Sequence, residues 1–293
     1  MSMSAVVLEP GRLAPPSQRR SRAPAVAGGL FVGAFALLSM FGSRVAPYRA
    51  TALSGPSLQA PGPAHLLGTN LLGQDVLSQL VLGTRASVEV ALLAGLGTVL
   101  LGGTIGITAG WFGGLLDAAL MRFTDLVLVV PKFPLLLLAG ALTGGSVAAL
   151  SLLIAATFWP VAARVLRSQV LSLRTRTHVR AATGFGAGSW HQLRVHILPD
   201  LALLAVAELI GAAARAVVLQ AGLAFLGIGS VTQASWGAMT RDAVNYKGLF
   251  VTSVWKWWLV PPVAAVVVLV TGIALLGTAA ERRLSPRLGR HHR

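Results

Sequence analysis

RTRTHVRAATGFGAGSWHQLRVHILP, residues 174–199, is the one long polar stretch lying between apolar runs. With two arginines just upstream it gathers six (Arg164, Arg167, Arg174, Arg176, Arg180 and Arg194), and no carboxylate falls among them. Basic loops between membrane spans stay on the cytoplasmic side, so this stretch is expected to face the cytoplasm. Ala181 and Ala182 are small helix formers, and Gly184, Gly186 and Gly188 then break the helix. The result is a short, blunt helix ending in a turn with little side-chain bulk, a shape that suits insertion into a cleft on a partner protein.

The apolar runs on either side set the fold class. Of 293 residues, 55% are hydrophobic and 11% charged, and the mean hydropathy is +0.73. Soluble domains carry about a quarter charged residues, so this composition excludes one. Runs near the ~20 residues that cross a bilayer recur along the chain, which predicts an all-α integral membrane protein. A net charge of +15 concentrated in the tails and one loop is the mark of cytoplasmic faces, and no nucleic-acid partner is expected. With no cysteine in the chain, disulfides and thiolate metal sites are excluded.

Taken in order, residues 1–24 read as a flexible cytoplasmic tail, with Arg12, Arg19, Arg20 and Arg22 among prolines and serines. Residues 25–45 follow as a retained first transmembrane helix, since no small-residue cleavage site closes the run. Residues 46–86 form an extracytoplasmic linker rich in Pro, Gly and Ser, with either a short interfacial helix or a plain loop over 71–85. Residues 87–280 hold the core domain of five further spans. The first, over 87–109, carries Gly95, Gly97, Gly102, Gly103 and Gly106, small residues that let helices approach closely in lipid. A turn at 111–114 leads into the next, about 115–142, where Pro131 and Pro134 predict a kink. That kink either lines a pathway or sits at the outer interface with Lys132 reaching for headgroups.

The following span, from 147 to about 165, delivers the chain to the basic loop, about 166–197. Another covers 201 to about 226, and an outer segment with a short helix near 236–246 leads to Trp255, Trp257 and Trp258, an aromatic belt that opens the last span. Residues 281–293 add a cytoplasmic tail with five arginines. Alternating sides give six spans with both termini inside, and about 16 basic residues on inner segments against about 6 on outer ones support that topology.

The pair Ala181-Ala182, three further residues, Gly186, and then Ile197-Leu198-Pro199 resemble the cytoplasmic loop of ATP-binding-cassette (ABC) importer permeases. The family's motif usually opens on an acidic residue; here Arg180 stands in its place. The segments His65-Leu66-Leu67-Gly68-Thr69-Asn70, Leu72-Gly73-Gln74-Asp75 and Gly83-Thr84-Arg85-Ala86-Ser87 are similar to the peptide/nickel branch. Gly110-Trp111-Phe112-Gly113-Gly114, Phe225-Leu226-Gly227-Ile228-Gly229 and Ser235-Trp236-Gly237-Ala238-Met239 continue the likeness in family order, over roughly residues 65 to 288. The chain is identified as resembling the C-type member of that branch's permease pair, whose ligands are oligopeptides, dipeptides, glutathione, or nickel and its chelates.

The resemblance implies a type I ABC importer permease fold in a bacterial inner membrane, with a coupling helix seated in a cleft of the ATPase. Arg180, Ala181, Ala182, Phe185, Gly186 and Ala187 are the residues it places in that contact. It also implies a homologous second permease, two cytoplasmic ATPase subunits or domains holding ATP and Mg, and an extracytoplasmic substrate-binding protein. No cofactor is expected on this chain, which has no Gly-rich phosphate loop.

Glu89, Asp125, Glu208 and Arg215 lie within or at the edges of spans, where ionised groups find partners or face a pore. Glu208 and Arg215 stand seven residues apart on one helix face, too far for an easy direct pair. Each is expected to meet another charge, such as Glu89, Asp125 or one on the partner permease, and the four either fix packing or line the substrate path. His65, His178, His191 and His196 read as loop residues on opposite sides of the membrane, so no metal site is expected, nor a catalytic constellation. The function expected is that of a non-catalytic permease subunit translocating di- or oligopeptides. The alternatives are a nickel or metal-chelate importer permease, and an ion-coupled carrier relaying through Glu89, Glu208 and Arg215.

Overall fold

The computed structural model describes residues 23–229 and 233–288. The basic tail expected over 1–24 lies outside them as far as residue 22, as does the end of the tail expected over 281–293. Apolar composition leaves a membrane chain no choice but to satisfy its backbone internally, and the chain answers with helices. They are α1 (Ala23–Val45), α2 (Val76–Phe112), α3 (Gly114–Val129), α4 (Lys132–Leu142), α5 (Val147–Arg174) and α6 (Thr177–Gly184). Then come α7 (Ser189–Gln192), a π-helical turn (Leu193–Ile197), α8 (Leu198–Phe225), α9 (Trp236–Val244), α10 (Trp255–Trp258) and α11 (Val260–Leu288). Among the described residues, five helical stretches are long and apolar enough to cross a membrane, and the bent pair α3–α4 makes up to six.

Three expectations need correction. No separate interfacial helix covers 71–85: the chain turns at Gly73 (φ 75°) and helix begins at Val76. The Asp75 carboxylate caps it by accepting from the Ser78 amide, and α2 then runs unbroken for 37 residues, about 55 Å. The kink at Pro131 is a break, with α3 and α4 meeting at 80°. Pro131 donates no backbone hydrogen bond, and Val130 before it is held extended (ψ 127°) as the pre-proline position demands. Finally, α11 continues to Leu288, so the first part of the expected C-terminal tail is helical.

Segment 46–75 folds as a cap over one end of the bundle. Buried Asp75 holds it to α2: its Oδ1 lies 2.9 Å from His65 Nδ1, and its Oδ2 accepts from the amide and hydroxyl of Ser78, each at 2.7 Å. Trp236 of α9 is fully buried beneath this cap and donates its indole N–H to the Leu80 carbonyl at 2.9 Å. An apolar cluster of Val76, Trp236, Met239, Leu249 and Trp258 fills the space between.

The middle of the bundle is built on α2 and α5, which pack more extensively than any other pair. Gly102, Gly106 and Gly110 face α5 on one stripe, and a Cβ on Gly102 would come within 2.6 Å of the Trp159 carbonyl. Beside them Val90, Ala94, Leu136, Leu150, Ile154 and Leu223 join α2, α4, α5 and α8.

Ion pairs tie α3 to α5. Arg167 grips Asp117 with two bonds, Nε–Oδ1 at 2.5 Å and Nη2–Oδ2 at 2.6 Å, and Arg164 reaches Asp125 at 2.5 Å. Both members of the first pair are partly buried, where a charge left without its counter-ion is expensive. Asp117→Asn is expected to lower the detergent-solubilised protein's stability by about 2–3 kcal/mol. Adding Arg167→Met should recover most of it, and thermal melts of the three variants check this. An unchanged melt for Asp117→Asn would mean that the pair holds nothing.

Candidate functional site

The end of the bundle opposite the cap carries the polar stretch 174–199. Helix α5 stops at Arg174, whose Nη1 donates to the Gly110 carbonyl at the end of α2 (2.8 Å). The chain reverses and forms α6, eight residues long. Val179, 2% exposed, is its anchor, packed with Leu166, Val170, Leu173, Ile197 and Leu201 from α5, the π turn and α8. A single apolar contact row thus fixes the helix while its other faces stand out from the protein.

Helix α6 ends as the glycines predict. Phe185 N–H bonds to Ala181, Gly186 N–H to Thr183 and Ala187 N–H to Ala182, with Gly186 at φ 83°. Gln192, 5% exposed, closes the turn from the far side. Its Nε2 donates to the Ala187 carbonyl at 2.6 Å, and its Oε1 accepts from the Thr183 hydroxyl at 3.2 Å. This staple was not legible beforehand, since a glutamine nine residues from its partner carries no local signal.

Arg180, Ala181, Ala182, Phe185, Gly186 and Ala187 therefore lie together on α6 and the turn behind it. Phe185 is 92% exposed and Trp190 70%, an unusual placement for two aromatic rings on an otherwise polar tip. Four of the six arginines are engaged elsewhere: Arg164 and Arg167 on α3, Arg174 on α2, and Arg176 near Asp200 at 3.5 Å. Arg180 and Arg194 have no carboxylate within ion-pair distance among the described residues, and they give the tip its positive charge.

After the turn, α7, the π turn and α8 run on as one stretch, Ser189–Phe225. Pro199 sits just inside α8, and its ring would clash with the carbonyl four residues back, at Val195. The wide turn at Leu193–Ile197 opens the backbone at that point.

Three histidines read as loop residues are on these helical elements instead, His178 on α6, His191 on α7 and His196 in the π turn. Their rings gather at one end, with centroids 5.8 Å apart for His178–His196 and 6.3 Å for His191–His196. His65 is at the other end, paired with Asp75. Among the described residues, no three His, Asp or Glu side chains are placed to hold a metal ion.

The intramembrane charges are not brought into one cluster. Glu89 pairs with Arg85 one turn away on its own helix (2.6 Å), and Asp125 pairs with Arg164. The carboxylates expected to meet Arg215 are thus taken by these arginines. Glu208 is half-buried on α8, and Arg215, two turns on, is exposed, its guanidinium folded back beside Gly211. Lys132, at the α3–α4 break, lies over the Phe158 ring at 4.5 Å.

The chain is thus a bundle of spans with a cap at one end and a short stapled helix at the other. Residues 102–290 match the family model described as the binding-protein-dependent transport system inner membrane component. The chain belongs to this family. Among curated relatives, the oligopeptide transport system permease protein OppC of Mycobacterium tuberculosis is 32% identical over 261 residues, covering 88% of this chain and 86% of that one. The probable D,D-dipeptide transport system permease protein DdpC of Escherichia coli is 32% identical, covering 79% and 76%. The glutathione transport system permease protein GsiD of Pectobacterium atrosepticum is 31% identical, covering 75% and 74%. This permease is therefore a multi-pass membrane subunit of a transport system, and family membership sets aside the ion-driven carrier.

Proposed function

We propose that this permease carries short peptides through the cytoplasmic membrane as one half of an ATP-driven importer, and that α6 is its coupling helix. The observation that carries the reading is the tip itself: Phe185, in the turn after α6, and Trp190, on α7, stand in the open beside a helix pinned by Val179, with Gln192 closing the turn. Exposed aromatics on a rigid, weakly buried element are anchors awaiting a pocket. Peptide cargo is supported by the relatives' names, since oligopeptides, D,D-dipeptides and glutathione all contain amide-linked amino acids.

In this reading the tip faces the cytoplasm with both termini, and the cap faces outward. A homologous second permease completes the path, two ATPase subunits or domains bind ATP and Mg, and an extracytoplasmic binding protein delivers the peptide. The chain itself holds no cofactor and catalyses no reaction. Closure of the ATPase pair moves α6, and because Val179, Ile197 and Leu201 share one cluster, the motion passes to α5 and α8 together. The bundle then exchanges between inward-open and outward-open packings.

Tagged protein purified from its native membrane in mild detergent should bring down a second permease and ATPase chains, identified by mass spectrometry. The reconstituted complex should take up labelled tri-alanine only with ATP and the binding protein. A chain recovered alone that moves solute without ATP would overturn the assignment.

A further inference from the structure

Two cavities adjoin beneath the cap, of about 350 and about 330 Å³. They share Ala50 of the cap and Gln233 and Ala234 from the segment before α9, so they form one groove. Each volume is that of a small-molecule site. An ion pair borders each one: Arg241 and Asp242 in the first, Arg85 and Glu89 in the second.

The groups these pairs leave open are unequal: among the described residues Glu89 keeps Oε2 free and Arg241 keeps one terminal nitrogen free, and only Arg85 keeps a two-nitrogen fork. Arg85 gives only its Nε to Glu89, at 2.6 Å, so both terminal nitrogens of its guanidinium fork have no partner among the described residues. Asp242 accepts both bonds from Arg241 on one oxygen, Oδ1, at 3.0 and 2.8 Å, and its Oδ2 accepts none among the described residues. Gln233, at the junction of the two cavities, makes no hydrogen bond there either. Gln79 and Gln74, also on the wall, are consumed by bonds to each other and to the cap. The groove thus offers a bidentate cation at one end, a carboxamide in the middle and a carboxylate oxygen at the other end.

We propose that this groove is a reception site for unblocked short peptides, with the α-carboxylate on Arg85, a backbone amide on Gln233 and the α-ammonium on Asp242. The inference rests on the peptide reading above and adds the residues and the direction of the peptide. A planar guanidinium fork matches a carboxylate, and a carboxamide can donate to and accept from a peptide unit at once. A bare metal ion would meet a guanidinium at one end, and an apolar solute would leave all three groups unpaired. In the proposed orientation the groove opens on the outer face, where a binding protein releases its cargo.

The test uses the whole importer complex, purified without its binding protein, and three probes: tri-alanine, tri-alanine amide and N-acetyl-tri-alanine. The wild-type complex should bind tri-alanine about tenfold more tightly than either blocked form, the loss expected for one charge-assisted bond. Arg85→Gln should bind tri-alanine and its amide alike yet still discriminate against the acetylated peptide. Asp242→Asn should show the converse, so each variant vouches for the other's folding. ATP-driven uptake of tri-alanine by the wild type, with the binding protein restored, is measured in parallel. Uptake with both variants discriminating as the wild type does, or with no binding in the wild type, would overturn the site and leave the peptide reading standing. No uptake of any peptide by the wild type would overturn that reading.

Discussion

Replacing Gly106 with alanine is expected to destabilise the protein by about 3 kcal/mol or more, while the same change at Gly103 is neutral or stabilising. Both glycines lie inside α2, and both would gain up to about 1 kcal/mol from alanine's better helix propensity. What they face decides the sign. A Cβ on Gly106 would overlap the carbonyl of Ala163 on α5, with Ala163 Cα and carbonyl carbon each at 3.0 Å. On Gly103 the nearest atom is Leu166 Cδ1 at 3.6 Å, an ordinary contact with the end of a flexible side chain.

A backbone carbonyl cannot rotate away as a side chain can, so at Gly106 the helices must separate. Separation also strips contacts at Gly102 and Gly110, one turn to either side, where Cβ atoms would meet the Trp159 carbonyl at 2.6 Å and the Arg167 carbonyl at 3.0 Å. Without a hydrophobic drive between helices in lipid, those contacts are what hold α2 to α5. Membrane yield and thermal melts of fluorescent fusions check the pair. Equal melts would mean that α2 and α5 do not approach this closely.

Features of the fold that depend on local sequence were legible in it. Hydropathy marked the spans, the glycine stripe on α2 marked the close approach, and Gly184, Gly186 and Gly188 marked the end of α6. The start of α2 was also within reach, because Asp75 directly before an apolar run with Ser78 three residues on is a helix-capping arrangement. Reading 71–85 as a separate interfacial helix overlooked that Gly83, a single glycine inside a helical pattern, does not by itself end a helix. The pairings of Arg164 and Arg167 were of another kind. Their partners, Asp125 and Asp117, lie 39 and 50 residues away on another helix, and only the packing of α3 on α5 brings them together. Counted along the chain, these arginines belonged to a docking loop; in space they belong to the scaffold. The 80° angle between α3 and α4 likewise depends on what packs on either side of Pro131.

Phe185→Asp is expected to leave membrane yield and melting temperature unchanged while reducing ATPase association about 30-fold or more, with uptake falling in step. The ring is 92% exposed, so within this chain its removal forfeits almost no contact, and an effect on transport has to come through a partner. An aromatic anchor seated in a pocket carries roughly 2–4 kcal/mol of binding energy, and a carboxylate would be forced into the same pocket unpaired. Ala182→Trp tests the shoulder of the same tip, since Ala182 is only partly buried and its carbonyl already receives the Ala187 amide at 3.0 Å. Its bulk should keep α6 from seating fully, so that ATP is hydrolysed without matching uptake. Gly186 carries a different risk: at φ 83° a branched residue strains the turn itself, and loss of function there mixes folding with docking. The exposed pair is therefore the sharper probe. Wild-type coupling in both Phe185→Asp and Ala182→Trp would withdraw the docking role from α6, and full-strength ATPase recovery with lost uptake in both would move the defect from docking to transmission.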